Sequence, residues 1–535
     1  MFCHSTVSDP CGVTISDKIQ TETYMTGSMP GRSNKLTSSA LLARNAALNL
    51  ATEGWTFIVL LFAMPKLVAF WGDTQFGLFS LAWVVIGYLA FLDIGVNRAA
   101  TKFVSEHLVE QDHESTRLIV RTAVATNFIL GLAGGLAVLL VSPYLIKSLF
   151  KISADLQTQA RLVFYAVGLA VPVLLVQGVF RAVLSSYQRF GWINAVSAVT
   201  TTAQWGTAAL LAWRGHGVAL VVLLTVVARI AATGAYGAVL FRLLPNLQLF
   251  RSHDLHGLPK LLRFGGWVSV SQMVSPLLVY LDRVLIASFV SLGAVTLYTV
   301  PTEVMTRPRI IPSSLVTTLY PAFSERSAGG QEAHLQRLYE ASVRYLLIIM
   351  LPGVLFLLVF GTDLLSLWMG VQFAKQTTVV VQVLAFGVLL NCMANIPYNA
   401  LQALGRPDIT GKLHLLELPL YLTLCIVMIP RLGIAGAAIA NTLRLAVDAV
   451  LLFWAAQHYC SCSIRRAWTN GIWLVSVAGL FLLGSVALTR SLLTTEWARL
   501  AGALTASVLY FFIAWKFILK QRERPAIMRA LGAFR

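Results

Sequence analysis

“FGLFSLAWVVIGYLAFLDIGVNRAATKFVSEH” (residues 76–107) is a long apolar run that ends in charged residues. No proline or turn cluster separates the two parts, so the pattern predicts one continuous helix. At 1.5 Å per residue that helix would be ~48 Å long, which exceeds the ~30 Å hydrocarbon core of a bilayer. We therefore predict a membrane span whose charged end, with Asp93 at the inner boundary and Arg98 beyond it, acts as an inner gate and an orientation signal.

The composition of the chain also indicates a membrane protein. The sequence is 57% hydrophobic and 12% charged, with a mean hydropathy of +0.73, whereas soluble domains carry about 25% charged residues. The formal net charge of +18 is explained by basic loops that face anionic membrane lipids. Because no basic soluble segment is present, we expect no nucleic-acid partner. The closely spaced Cys460 and Cys462 are weak evidence for a metal, and we expect no metal site.

Apolar runs of spanning length number about fourteen, which predicts an all-α integral membrane protein. Both termini are predicted to be cytoplasmic, because most Lys and Arg residues then fall on inner segments. Residues 1–40 are polar and lack the pattern of a removable signal peptide. We expect them to form a disordered cytoplasmic tail, and residues 521–535 to form a basic cytoplasmic tail.

An internal repeat follows the spans at a nearly constant separation. “FGLFSL” (76–81) is similar to “VTLYTV” (295–300), and “LSSYQR” (184–189) is similar to “LQALGR” (401–406). “RGHGVALVVLLTVVAR” (214–229) is similar to “PRLGIAGAAIANTLR” (430–444), which pairs Arg229 with Arg444. Each match is weak, but their common order indicates two copies of one six-helix unit.

The repeat predicts the organisation of the chain. We predict an N-lobe at 41–245, a C-lobe at 246–460 and two additional C-terminal helices at 461–520. Since six is an even number of spans, the two lobes share one orientation and are related by an axis along the membrane normal. Two such bundles enclose a central cavity that can open to either side, which favours a transporter that works by alternating access.

Four stretches also resemble a known family. They are “FLDIGVNRAATKFVSE”, “YLDRVLIASFVSLGAVTLYTVPTEV” (280–304), “YPAFSE” (320–325) and “YNALQALGRPDIT” (398–410). They are similar to the polysaccharide-transporter (oligosaccharide flippase) branch of the multidrug/oligosaccharidyl-lipid/polysaccharide flippase superfamily. The resemblance covers about residues 41–520. It implies two lobes in a V shape and a flippase for undecaprenyl-diphosphate-linked oligosaccharide in the bacterial inner membrane, for exopolysaccharide, O-antigen or capsule biosynthesis. It also implies an association with the polysaccharide polymerase machinery and an acidic residue near position 282.

Charged residues inside the spans are the candidates for substrate contact, because ionisable groups at that depth usually face a cavity or a partner helix. Glu303 and Arg307 stand four residues apart in the favourable order for an ion pair. Arginine forks bind phosphate oxygens, so we assign Arg307 and Arg309 to a diphosphate at the inner entrance. Pro301, Pro308 and Pro312 should kink or break the helix there. The six candidates are Glu53, Asp282, Arg283, Glu303, Arg307 and Arg309.

A second set of intramembrane charges is predicted to act in structure or gating. Asp93 and Arg98 mark the inner end of the second span. Arg229 and Arg444 occupy equivalent positions in the two repeats, and Asp448 is the expected partner of Arg444 because it lies one turn away. For each of these residues an interhelical ion pair is the alternative to a role in transport.

Two other functions compete with the flippase. A cation-coupled multidrug antiporter of the same superfamily would favour a mainly acidic cavity. A membrane-embedded glycan polymerase or ligase would usually need a large outer loop, and none of the predicted loops is long enough. The sequence contains no motif of an ATPase, a hydrolase or a metalloenzyme. We therefore expect no enzyme activity and no cofactor, with transport driven by an H+ or Na+ gradient or by the gradient of the substrate.

Overall fold

A computed structural model describes residues 39–93, 95–245, 247, 274, 276–309, 332–404, 406–460, 462–493 and 495–519. No β-strand occurs among these residues. The chain divides into two units, Met1–Ala47 and Leu48–Arg535. The predicted tails 1–40 and 521–535 lie outside the described residues, except for residues 39 and 40, which are helical.

The main helices of the described residues follow one another along the chain. In order, they are α1 (Ser39–Leu89), α2 (Val96–Glu110), α3 (His113–Tyr144), α4 (Ala154–Ser186), α5 (Phe190–Trp213), α6 (Val218–Leu243), α7 (276–289), α8 (Leu292–Met305), α9 (Glu332–Met369), α10 (Val371–Ala403), α11 (Pro407–Tyr459), α12 (Trp473–Leu492) and α13 (Glu496–Ile513). In this part of the chain, nine helical stretches are long and apolar enough to cross a membrane. The prediction of an all-helical, multi-pass membrane protein is confirmed.

Two of the longest helices contain a sharp break at a glycine. Gly72 interrupts α1 with φ 69° and ψ 172°, and Gly433 interrupts α11 with φ 59° and ψ −137°. Positive φ is costly for residues with a Cβ, so glycine is the residue that permits these turns. Each of the two helices therefore consists of two arms, 39–71 and 73–89 in α1, and 407–432 and 434–459 in α11.

The prediction of one continuous helix over residues 76–107 is wrong. The helix α1 ends at Leu89, a 3-10 turn follows at Ala90–Asp93, and Gly95 takes a left-handed conformation before α2 begins. The Asp93 carboxylate accepts a hydrogen bond from the backbone N–H of Asn97, at 3.2 Å, in the first turn of α2. The glycine permits the turn and the aspartate satisfies a free N–H group of the new helix, which together explain the break.

The break separates a spanning helix from an amphipathic one. In α2 the buried residues are Val96, Ala99, Ala100, Phe103 and Val104, which is the spacing of one helix face. This face packs on α3 and α4 in a core that also includes side chains from α5 and α6. A separate apolar core joins α9 to α12 and α13.

The two arms of α1 make close contacts with α8 and α9. A Cβ added at Gly77 would lie 2.0 Å from the backbone oxygen of Leu292. The Thr296 hydroxyl donates to the backbone oxygen of Asp73 at 2.6 Å, and the Trp368 ring N–H donates to the backbone oxygen of Leu61 at 2.7 Å. These contacts hold α1 against α8 and α9 near the Gly72 turn.

We predict that Gly77→Ala destabilises the protein by about 1–3 kcal/mol, because the added methyl group meets backbone that cannot move away cheaply. Thermal unfolding of the purified protein in detergent measures the loss. Gly206→Ala is the control, since nothing lies within 4 Å of a Cβ at that position. Equal stability of the two variants would contradict the close approach of α1 and α8.

Candidate functional site: a charged central cavity

A cavity of about 1040 Å³ is lined by side chains of α1, α7, α8, α9, α10 and α11. All six residues that the sequence predicted to contact substrate line it, namely Glu53, Asp282, Arg283, Glu303, Arg307 and Arg309. Arg444, which was assigned to the structural set, lines the same cavity. The structure thus brings the candidates together, and their contact with a substrate stays a prediction.

The sequence of α8 and of the turn that follows it explains how Arg307 and Arg309 are placed. Ser291 caps α8 by accepting a hydrogen bond from the Ala294 N–H at 3.1 Å. The helix ends at Met305, and residues Arg307–Arg309 form a 3-10 turn. Pro308 lacks an N–H group and cannot continue the helix. The predicted break is present before Pro308, whereas the helix α8 continues through Pro301. Pro312 lies outside the described residues.

Alternating charges form a chain of ion pairs along the cavity wall. Glu303 contacts Arg283 at 3.2 Å through one oxygen and Arg307 at 3.4 Å through the other. Arg307 in turn contacts Glu53 at 3.6 Å. The predicted Glu303–Arg307 pair is present, and it is extended at both ends to α1 and α7. This row of ion pairs compensates the four charges within the membrane.

Asp282 and Arg283 have different surroundings although they are neighbours in sequence. The Tyr298 hydroxyl of α8 donates to the Asp282 carboxylate at 2.5 Å. The Arg283 guanidinium donates to the Val279 backbone oxygen at 3.3 Å and lies 5.3 Å from the Tyr280 ring centre. Both charged residues are buried. Tyr298 was missed from the sequence, because an aromatic residue in an apolar span carries no signal of a polar contact.

Arg444 pairs with a different acid from the one expected. Its guanidinium contacts the Glu417 carboxylate at 3.2 Å and donates to the Asn441 side-chain oxygen at 3.1 Å. Asp448, the predicted partner, is not an ion-pair partner of Arg444 in the described structure. Glu417 lies in the first arm of α11 and Arg444 in the second, so the turn at Gly433 brings them together. An acid in an apolar span was the available signal for Glu417.

Arg229, the repeat counterpart of Arg444, has another environment. Its guanidinium lies 4.8 Å from the centre of the Trp83 ring and donates to the Gln204 side-chain oxygen at 3.4 Å. Within the described parts of the chain, no carboxylate lies within ion-pair distance of Arg229. The two equivalent arginines therefore do not share one type of partner.

A smaller pocket of about 480 Å³ adjoins the cavity at Glu53, which lines both. Arg98 and Arg181 line this pocket together with amide and hydroxyl side chains. Asp93 lies nearby in sequence but accepts hydrogen bonds from the Asn127 side chain, at 2.9 Å, and from the start of α2. The structure places Arg98 on a polar pocket and Asp93 in a helix-capping position, while their predicted role in gating stays a prediction.

Residues 42–327 match the family model described as “Polysaccharide biosynthesis protein”. The chain belongs to this family. The family resemblance inferred from the sequence is thereby confirmed, and it applies to more than half of the chain.

One curated relative is similar to the chain in sequence, and two solved structures are similar to it in fold. The “Putative O-antigen transporter” of Shigella flexneri is 26% identical over 410 residues, which cover 75% of this chain and 96% of the relative. The lipid II flippase MurJ, in an inward closed conformation, superimposes with a TM-score of 0.71 at 12% identity, over 89% of this chain and 100% of MurJ. A multidrug resistance transporter of the MATE family and MOP superfamily, in an inward-facing conformation, gives a TM-score of 0.64 at 14% identity, over 78% and 98%. These two likenesses show the fold.

We predict that Glu303→Gln destabilises the protein by about 1.5–3 kcal/mol, because it removes the charge-assisted contacts to Arg283 and Arg307 and leaves the buried Arg283 uncompensated. Thermal unfolding in detergent measures this loss. The control is Glu106→Gln, which breaks the exposed pair with Lys102 at 3.6 Å and should cost about 0.5 kcal/mol or less. An equal effect of both substitutions would show that the cavity pairs add no stability.

Proposed function

We propose that the protein is a flippase that moves an oligosaccharide linked to a lipid by a diphosphate across the bacterial inner membrane by alternating access. The observation that carries this proposal is the cluster of arginines on the central cavity. Arg307 and Arg309 are both on the 3-10 turn, and Arg283 and Arg444 line the same cavity. Guanidinium groups bind phosphate oxygens with a geometry that lysine does not match.

The charge of the cavity favours an anionic substrate over an organic cation. Four arginines line it against the three carboxylates Glu53, Asp282 and Glu303. Arg309 lines the cavity, and among the described residues it takes part in none of the ion pairs. The family membership and the name of the Shigella relative support a substrate from polysaccharide biosynthesis. An undecaprenyl carrier and association with a polymerase are part of the same proposal.

We also propose about fourteen spans in two six-helix repeats with two additional helices. The turns at Gly72 and Gly433 each make two helices out of one. The helices α5, α7 and α8 are not among the nine long apolar stretches, and we propose that they are spans as well. Gly217, the repeat counterpart of Gly433, directly precedes α6 and so stands at the start of a helix as Gly433 does. The lobes 41–245 and 246–460, with both termini in the cytoplasm, follow from this arrangement.

We predict that Arg307→Gln and Arg309→Gln each slow transfer of a fluorescent lipid-diphosphate-oligosaccharide in proteoliposomes. The loss of one charge-assisted contact to phosphate, about 1.5–3 kcal/mol, corresponds to about tenfold to a hundredfold weaker binding. Quenching of the outer leaflet by a membrane-impermeant reducing agent measures the transfer. Arg161→Gln, on an exposed position of α4, should transfer as the unsubstituted protein does.

The proposal fails if the unsubstituted protein moves no lipid under any imposed gradient. Transfer of a fluorescent organic cation in the same vesicles, with no lipid transfer, would favour the multidrug antiporter instead. Elongation of the oligosaccharide in the vesicles would favour the polymerase.

We predict that an imposed H+ or Na+ gradient changes the rate of lipid transfer, since the chain contains no nucleotide-binding motif. Vesicles with a pH step, a Na+ step or neither are compared at the same membrane potential, set with K+ and valinomycin. Rates that are equal in all three conditions would contradict ion coupling and leave the gradient of the substrate as the driving force.

A further inference from the structure

A buried cluster of titratable groups lies in α11, beside the cavity. His414 and Glu417 are on its first arm and Asp448 is on its second arm. One donor atom from each of the three side chains lies within 4.8 Å of the others. Glu417 is 1% exposed and Asp448 is 6% exposed. None of these three residues has a role in the proposed binding of the lipid.

The cluster has more negative than positive charge if both carboxylates are ionised and His414 is neutral. Arg444 pairs with one oxygen of Glu417, while the other oxygen of Glu417 and one oxygen of Asp448 are buried without a hydrogen-bond partner. One arginine compensates one carboxylate, so a second buried carboxylate would keep an uncompensated charge. Such a charge is costly in a low-dielectric interior, and a proton on the pair removes that cost.

The groups that face the cluster from other elements do not supply the missing positive charge. From α10, the Tyr398 ring stacks on His414 with the ring centres 5.9 Å apart. From the turn after α8, Arg309 lines a pocket of about 320 Å³ that Asp448 and Tyr398 also line. Arg309 forms no ion pair with Asp448 among the described residues, although it shares that pocket.

We propose that Glu417 and Asp448 form a proton-binding pair, with His414 beside them, and that Arg444 links this pair to anion binding in the central cavity. The link rests on the proposed function, because it requires an anion at the cavity face of Arg444. The site itself rests only on the burial, spacing and charge of the cluster.

In this proposal, Glu417 and an anion in the cavity compete for the positive charge of Arg444. It contacts Glu417 on one side and lines the cavity on the other. An anion that binds at the cavity face withdraws positive charge from Glu417, which then favours its protonated form. Glu53 is different, because its side chain is 59% exposed and water can solvate it when Arg307 turns to the substrate. Glu417 has no such access, so it takes up a proton instead.

A pocket that Asp448 lines adjoins the central cavity. Arg309 and Asn391 line both the cavity and this pocket of about 320 Å³. We take this pocket as the side from which a proton reaches Asp448 in the proposed site.

Infrared difference spectroscopy tests the site without any ligand. The full-length protein in detergent is stepped between acidic and alkaline pH, and the absorption of protonated carboxyl groups is followed. We expect one such band in the unsubstituted protein that is lost in Asp448→Asn and retained in Asp408→Asn. Asp408 is the matched control, because it lies at the start of the same helix and pairs with Arg406 and Lys412. A spectrum of the unsubstituted protein without this band overturns the site.

Calorimetry with inorganic pyrophosphate tests the link. Heats of binding in two buffers of different ionisation enthalpy give the number of protons taken up per bound anion. We expect the unsubstituted protein and Asp408→Asn to take up about one proton more per bound pyrophosphate than Asp448→Asn does. By linkage, their affinity for pyrophosphate then changes about tenfold more per pH unit than that of Asp448→Asn. The titration of pyrophosphate itself cancels in this comparison.

The outcomes separate the two proposals. Equal proton uptake by the three proteins overturns the link while pyrophosphate binding still supports the anion site. Absence of pyrophosphate binding contradicts the anion site and the link, whereas the infrared band still decides whether the proton site exists. If pyrophosphate binding involved no proton uptake but depended on the Na+ concentration at constant pH, the cluster would bind a metal cation. That result would overturn proton binding.

Discussion

The cost of placing charge inside a membrane determines how this protein is built. Hydrocarbon offers no water to compensate an arginine or a carboxylate, so each one needs a partner from the protein or access to an aqueous cavity. The chain meets this requirement with two groups of charges. Glu53, Arg283, Glu303 and Arg307 form a continuous row on the cavity wall, whereas Glu417 and Arg444 form a buried pair behind it.

Both groups depend on turns that only glycine permits easily. The left-handed turn at Gly433 folds α11 back on itself, and this places Glu417 against Arg444. The turn at Gly72 similarly returns α1, and Gly77 in the returning arm lets the Leu292 backbone approach. The backbone contact fixes α8 against α1, and α8 carries Glu303 toward Arg307 and Glu53. Backbone conformation and charge compensation are therefore parts of one arrangement.

The sequence predicts contacts between residues that are close along the chain better than contacts between distant segments. The Glu303–Arg307 pair follows from a spacing of four residues, and it is present. The same reasoning chose Asp448 for Arg444, but the turn at Gly433 offers Glu417 from another helix arm, and no spacing rule contains that turn. Similarly, the apolar pattern of residues 76–107 predicted one helix, because hydropathy does not register the left-handed Gly95 or the hydrogen bonds of Asp93. The helical, multi-pass class and the family were predictable because they depend on composition and on long apolar runs.

The two charge groups differ in how they can respond to an anion. A phosphate that takes Arg307 from Glu53 leaves a carboxylate that water can reach, since 59% of that side chain is exposed. A phosphate that draws on Arg444 leaves Glu417, which is 1% exposed and cannot be solvated. When the anion takes Arg307 from Glu53, water solvates the Glu53 carboxylate in place of the arginine, and no proton has to bind. In the proposed proton site, Glu417 is compensated by a bound proton when an anion draws on Arg444, because burial keeps water away from it. The difference in exposure between the two glutamates is therefore the reason why Glu417, and not Glu53, is the proposed point of coupling to a proton gradient.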